Sequence, residues 1–308
     1  MATGIVNRLV PATAHRLGVV RSLVSLTFLV SLLATSFTAL GRLPVTILRP
    51  VGLMKLVPWN WYDVLLTPAG MIGFKWLTVM SLLFATVGCF TRFSTSLAFL
   101  SVLFYEGIVR SFGHYNHDEM VGVYYLFILA ASPCGDNFSL DHWLGRRYAW
   151  KPPFAYSYPI LLTQLLLGWI YFSSALVKLR VAGFKYLSPD NLPSLAIYHS
   201  LDNLHDTHFK IAFWLPHVRQ ILPVVVAVVL IWELVFPLAI FFRKIRWWIL
   251  GFGIVFHLAT LFVMNIFFPY QLLMYLVFVD WDRVSEIFRT NRAIDLHFNN
   301  RASSLDSS

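Results

Sequence analysis

The stretch Ile160-Leu-Leu-Thr-Gln-Leu-Leu-Leu-Gly-Trp-Ile-Tyr-Phe-Ser-Ser-Ala-Leu-Val-Lys178-Leu179 decides what kind of fold this chain takes. It supplies the roughly 20 predominantly apolar residues that a helix needs to cross hydrocarbon, and it closes on a lysine. A lysine at the edge of hydrocarbon can snorkel to water, or it can lose its proton and act as a base. Ser173 and Ser174 precede Lys178 by about one turn and soften that face. A polar helix face implies contact with protein or a cavity rather than with lipid.

The same apolar character runs through the chain. Of its 308 residues, 58% are hydrophobic and 13% charged, and mean hydropathy is +0.67. A soluble domain is about a quarter charged and under half apolar. We therefore expect an all-α integral membrane protein, a polytopic bundle of about eight transmembrane helices. The apolar runs fall near 22–40, 70–90, 93–112, 118–133, 158–179, 221–242 and 247–268, with a shorter one near 269–281 that begins at Pro269. The expected organisation is a cytoplasmic N-terminal segment over 1–21, a transmembrane domain over 22–282 and a polar cytoplasmic tail over 283–308.

A net charge of +9 would suggest nucleic acid in a soluble protein. In a membrane protein the cations instead set topology and meet anionic lipid, so no nucleic-acid partner is expected. The short basic loops Arg146-Arg147 and Arg243-Lys-Ile-Arg246 favour the cytoplasmic side and place both termini there. Arg8, Arg16 and Arg21 before the run from Ser22 resemble a signal peptide. That run extends to about Leu40 without a small-residue cleavage site, so it is expected to be a retained span. Cys89 and Cys134 form no CxxC pair.

Ionisable groups at membrane depth are costly, and each is a functional candidate. Here they are Glu106, Arg110, His117, Asp118, Glu119, Lys178, Glu233 and His257. Glu106 and Arg110, four residues apart, share a helix face and are read as a structural pair. Asn116 with Glu119 resembles a capping box, which does not require His117. His257, between Phe256 and Leu258, could be a core histidine with one hydrogen bond. Taken together, Lys178, His117 and His257 could line one cavity in the outer half of the membrane, with Lys178 as general base and the imidazoles positioning a substrate or relaying a proton. Glu233, four residues before Pro237, reads as structural or gating. His199, His205 and His208 match no tight helical pair, so no metal is expected. They lie in 180–220, which with 41–69 forms two long outer loops suited to lids or binding.

Three patches carry a family resemblance. The first is Asn116-His117, then an aromatic and apolar helix, then Ser132-Pro-Cys-Gly-Asp-Asn-Phe-Ser139-Leu140-Asp141. The second is Tyr171-Phe-Ser-Ser-Ala-Leu-Val-Lys178-Leu179, and the third Phe256-His257 with Phe267-Phe-Pro-Tyr270. In this order they resemble the HTTM (horizontally transferred transmembrane) domain, the membrane part of vitamin K-dependent gamma-glutamyl carboxylase, over most of residues 15–290. The resemblance implies a membrane-embedded enzyme that oxygenates a reduced quinone of the vitamin K or menaquinol type. The strong base so made removes a proton from the gamma carbon of a peptidyl glutamate, and the carbanion takes up carbon dioxide. Lys178 matches the catalytic lysine. Asn116, His117, His257 and Tyr171 match the quinone surroundings. Quinone, a peptide or protein substrate and membrane lipid are the implied partners. Where the animal enzyme has a lysine pair, Val177 precedes Lys178. The animal enzyme also has a large extramembrane portion that helps recognise substrate. Here loops 41–69 and 180–220, or a partner, are expected to hold a peptide instead. A non-catalytic module serving maturation, quinone or lipid binding, or assembly is the alternative. A transporter is less favoured, because no inverted repeat stands out.

Overall fold

A computed structural model describes residues 6–7, 9–113, 118–146, 151–202, 211–288 and 290, with the side chains of 118, 119 and 202 left aside. Among the described residues the secondary structure is entirely helical. The main helices are α1 (Ala14–Ala34), α2 (Pro68–Val87), α3 (Thr91–Ser111), α4 (Asp118–Ala130), α5 (Phe154–Ala182), α6 (Asn191–Asp202), α7 (Leu222–Val235) and α8 (Arg243–Met264). Five of them, α1, α2, α3, α5 and α8, are long and apolar enough to cross a membrane by length and composition. Apolar stretches at Met120–Ala130, Leu222–Val235 and Pro269–Phe278 are shorter.

The local chemistry explains where the helices start and stop. Thr13 caps α1 by accepting from the Arg16 amide, so this helix begins at Ala14, ahead of the expected start at Ser22. It ends at Thr35, short of Leu40. The run 221–242 is likewise broken. Its helix α7 stops at Val235, before Pro237, and a single turn follows at Leu238–Phe241. Proline has no N–H to give to the helix ladder. Asn265 in the left-handed region (φ 54°) ends α8.

Among the described residues, the two segments read as long loops contain short helices. Residues 41–69 contain short helices at Val45–Ile47, Gly52–Leu56 and Trp59–Leu65. The Tyr62 hydroxyl donates to the Met54 carbonyl at 2.6 Å and fixes this segment on itself. Residues 180–220 carry the end of α5, a 3-10 turn at Gly183–Leu187, α6, and two more 3-10 turns. Buried apolar side chains hold these helices in place. Ala196, Ala212, Leu215 and Leu222 form one such buried cluster.

The chain divides into two compact units: residues 1–114, 126–160 and 277–308 in the first, 115–125 and 161–276 in the second. In the first unit α1 packs on α2, and α2 on α3. Its polar core is built on helix ends. Arg21, fully buried, donates to the Cys134 carbonyl at 2.9 Å and the Phe138 carbonyl at 2.6 Å. Arg16 donates to the Pro11 and Val277 carbonyls. Both arginines lie in the expected cytoplasmic N-terminal segment and serve as internal braces, because a guanidinium offers five donors to backbone carbonyls. Gly88 (φ 77°) lies where a Cβ would strike the Arg21 guanidinium. Asp141, also fully buried, accepts from the Phe90 and Thr91 amides at the start of α3 and from Arg146, where a carboxylate complements the helix dipole.

In the second unit Ala175, Val226 and Leu230 join α5 to α7, and α6 packs on α8. Trp232 Nε1 donates to the Ile249 carbonyl at 2.9 Å, tying α7 to α8. Apolar side chains also face outward: Phe184 is 88% exposed and Trp248 82%, as lipid-facing surface requires.

Candidate functional site

Tyr171 and Lys178 are seven residues apart on α5. Seven residues are about two turns, so both side chains project from one face at levels about 10 Å apart. Helix α7 presents the adjacent pair Trp232 and Glu233 to that face, and α8 presents His257.

At the first level the Tyr171 hydroxyl lies 2.5 Å from His257 Nε2 and 2.8 Å from the Tyr275 hydroxyl. Three buried polar side chains from three segments thus share one hydrogen-bonded chain. Which group donates depends on the imidazole tautomer. Aromatic rings enclose it: Trp232 and Phe236 stand 4.8 and 4.3 Å from the Tyr171 ring, and Phe268 stands 5.2 Å from His257. Gly253 makes the chain possible, because a Cβ there would run into the Tyr275 hydroxyl and the Trp232 ring.

At the second level Lys178 Nζ donates to Glu233 Oε1 at 2.5 Å, and the Ser174 hydroxyl donates to the same oxygen at 3.2 Å. Glu233 is 2% exposed, and the Lys178 side chain is 25% exposed. The Tyr186 ring flanks the ammonium at 5.9 Å. Lys178 is therefore ion-paired: the apolar pocket expected around it contains its counter-charge.

Two buried acceptor or donor positions, His257 Nδ1 and Glu233 Oε2, have no hydrogen-bond partner among the described residues. Buried polar atoms are normally satisfied, so one atom at each level stands out.

The expected site residues divide as follows. His257 and Tyr171 meet directly, and Lys178 lies along the same column. Asn116 and His117 lie outside the described residues. Glu106 and Arg110 stand 3.9 Å apart on α3 as an i, i+4 pair. Among the described residues no three His, Cys, Asp or Glu side chains come together as a metal site; His205 and His208 lie outside them. Sequence reasoning missed Tyr275 and Trp232, whose phenol and indole are indistinguishable from lipid-anchoring aromatics in a linear apolar run. It singled out Glu233 by its charge but not its partner, since nothing in the chain links position 233 to 178.

The helices and this internal polar column define a helical membrane module. The model of the HTTM domain matches residues 9–282, nearly the whole chain, and the chain belongs to that family. A comparison with curated proteins finds no match, and neither does one with solved structures.

Proposed function

We propose that this protein is a vitamin K-dependent gamma-carboxylase-like enzyme of the membrane. In this reading it couples oxygenation of a reduced quinone to modification of a peptide or protein at the extracytoplasmic face, with glutamate carboxylation the reaction the family resemblance favours. It takes an eight-span topology with both termini in the cytoplasm. The observation that carries the reading is the column on α5: Lys178 and the Tyr171–His257–Tyr275 chain on one helix face, two turns apart.

A reduced quinone is the ligand this reading takes. His257 Nδ1 and Glu233 Oε2 are buried atoms without a partner among the described residues, each suited to a hydrogen bond with a ligand hydroxyl, and the Trp232, Phe236 and Phe268 rings make the surroundings of Tyr171 and His257 apolar. When bound, the reduced quinone supplies the oxygen chemistry that generates a strong base. Tyr171 orients His257 through Nε2, so that Nδ1 would be the ring atom able to hold the ligand. Lys178, placed by its helix and paired with Glu233, is the residue this reading assigns as general base, acting from its amine form. The aromatic walls exclude water, which would otherwise quench a strong base.

The test gives purified protein a menaquinol or vitamin K hydroquinone with oxygen and measures the quinone epoxide. Epoxide from wild type, and its loss in Lys178→Ala, is the expected result. No epoxide from wild type, or equal epoxide from both, rejects the reading in favour of a non-catalytic module.

A further inference from the structure

We propose that the segment 52–65, on the connection from α1 to α2, lies in the boundary layer of the lipid bilayer with its leucine and tryptophan side chains set among the lipid, a placement that depends on the membrane class of the chain and not on quinol chemistry. Two spanning helices set its level. Helix α2 has 20 residues, about 30 Å at about 1.5 Å per residue, which equals the hydrocarbon thickness. Its first turn therefore falls at the edge of the hydrocarbon. Helix α3 packs on α2 and follows it after the turn at 88–90, so the end of α3 lies on the same side as the start of α2. The segment touches both of these turns. A Cβ on Gly70, in the first turn of α2, would strike the Val64 and Leu65 carbonyls. A Cβ on Gly107 would strike the Met54 thioether, and Gly107 lies about 6 Å inside the end of α3 at Ser111. Just ahead of the segment, the Arg49 amide donates to the Ser111 carbonyl at 2.8 Å and ties the chain to the same helix end.

The segment sorts its side chains accordingly. Met54, Tyr62 and Leu66 are buried, and the Tyr62–Met54 hydrogen bond holds the fold of the segment. Leu53, Leu56, Trp59, Trp61 and Val64 remain outside, with Leu56 79% and Val64 75% exposed. Large apolar side chains gathered this closely are unfavourable against water and favourable against lipid. On the short helix Trp59–Leu65, Trp61 and Val64 are three residues apart and share one face, while Asn60 and Asp63 share another. That division suits a helix lying along the boundary, with acyl chains on one side and headgroups on the other. Tryptophan is favoured at this depth because its ring is apolar and its N–H polar. Held at two helix ends, the segment forms part of the lipid-facing surface and is not a lid that closes over a ligand.

The test uses full-length protein in phosphatidylcholine nanodiscs, with a nitroxide attached to Leu56→Cys, Val64→Cys or Asn60→Cys in a Cys89→Ser background; Cys134 is buried. Power saturation reads collision with oxygen, which dissolves in hydrocarbon, and with nickel ethylenediaminediacetate, which stays in water. At 56 and 64 the oxygen-to-nickel ratio should exceed that at 60 severalfold and approach that of a nitroxide on Leu77→Cys, an exposed position in the middle of α2. Equal ratios at 56, 64 and 60, with frequent nickel collision at all three, would put the segment in water and overturn the proposal. Weak collision with both reagents at 56 and 64 would mean that protein covers them and would overturn it equally; dipolar broadening in that case would identify the cover as a second copy of the chain. Positions 56 and 64 are both exposed and report separately, so if one variant fails to fold the other decides. Absence of quinone epoxide from wild type would reject the quinol reading and leave this result standing.

Discussion

Lys178 and Glu233 are 55 positions apart in the chain and 2.5 Å apart in space. Removing one member leaves the other charge buried without compensation. Lys178→Met should therefore cost about 3–5 kcal/mol, while the double change Lys178→Met with Glu233→Leu should recover most of that loss. Thermal unfolding in detergent measures both, and an additive double variant would show that the pair is not coupled. Tyr171→Phe tests the other level. It removes the hydroxyl that His257 Nε2 and the Tyr275 hydroxyl share. Leaving two buried polar groups short of a partner costs about 1–3 kcal/mol, which should appear as a lower melting temperature and weaker retention of a menaquinone analogue. The flanking residues singled out Lys178 in the sequence. Its ion-pair partner was not legible, because an acid and a base on separate helices carry no shared sequence signal.

Helix α8 shows what packing adds to a pattern. Gly251 and Gly253 look equivalent in sequence, yet a Cβ at 251 meets nothing within 4 Å, whereas one at 253 strikes Tyr275 and Trp232. Gly251→Ala should be neutral or stabilising by about 0.5–1 kcal/mol, from helix propensity alone. Gly253→Ala should destabilise by about 1–3 kcal/mol and disturb the hydrogen-bonded chain, which a comparison of the two melting curves would read. The apolar periods of α2, α3, α5 and α8 were legible because each run is long and largely unbroken. The ends of α1 and α7 were not. A single threonine cap extends α1 through two arginines, and Pro237 cuts an otherwise continuous run. The short helices within 41–69 and 180–220 were not legible for a related reason: each is only a few turns long and forms once its apolar face is buried.

For the whole molecule, the first unit holds its shape by burying charge at helix ends, and this has a chemical consequence. Burial pushes the Cys134 thiol up from its usual range, with the nearby Arg21 charge opposing. Cys134 is 1% exposed while Cys89 is half-buried, and both are free. Native protein at about pH 8 should take up one maleimide, at Cys89, and a second only after unfolding; equal labelling of both thiols would show that the packing around Arg21 is looser than described. The membrane class was legible from composition, and the family from three short patches. The number of crossings was not, since a run of apolar residues fixes neither helix length nor depth. The most direct measurement of the central claim is photo-crosslinking with a photoreactive menaquinone analogue in native membranes, followed by peptide mapping. Adducts on the α5 and α8 peptides bearing Tyr171 and His257, competed by excess menaquinone, are the expected result. Adducts confined to outward-facing residues such as Trp248 and Phe184, with none on those two peptides, would contradict it.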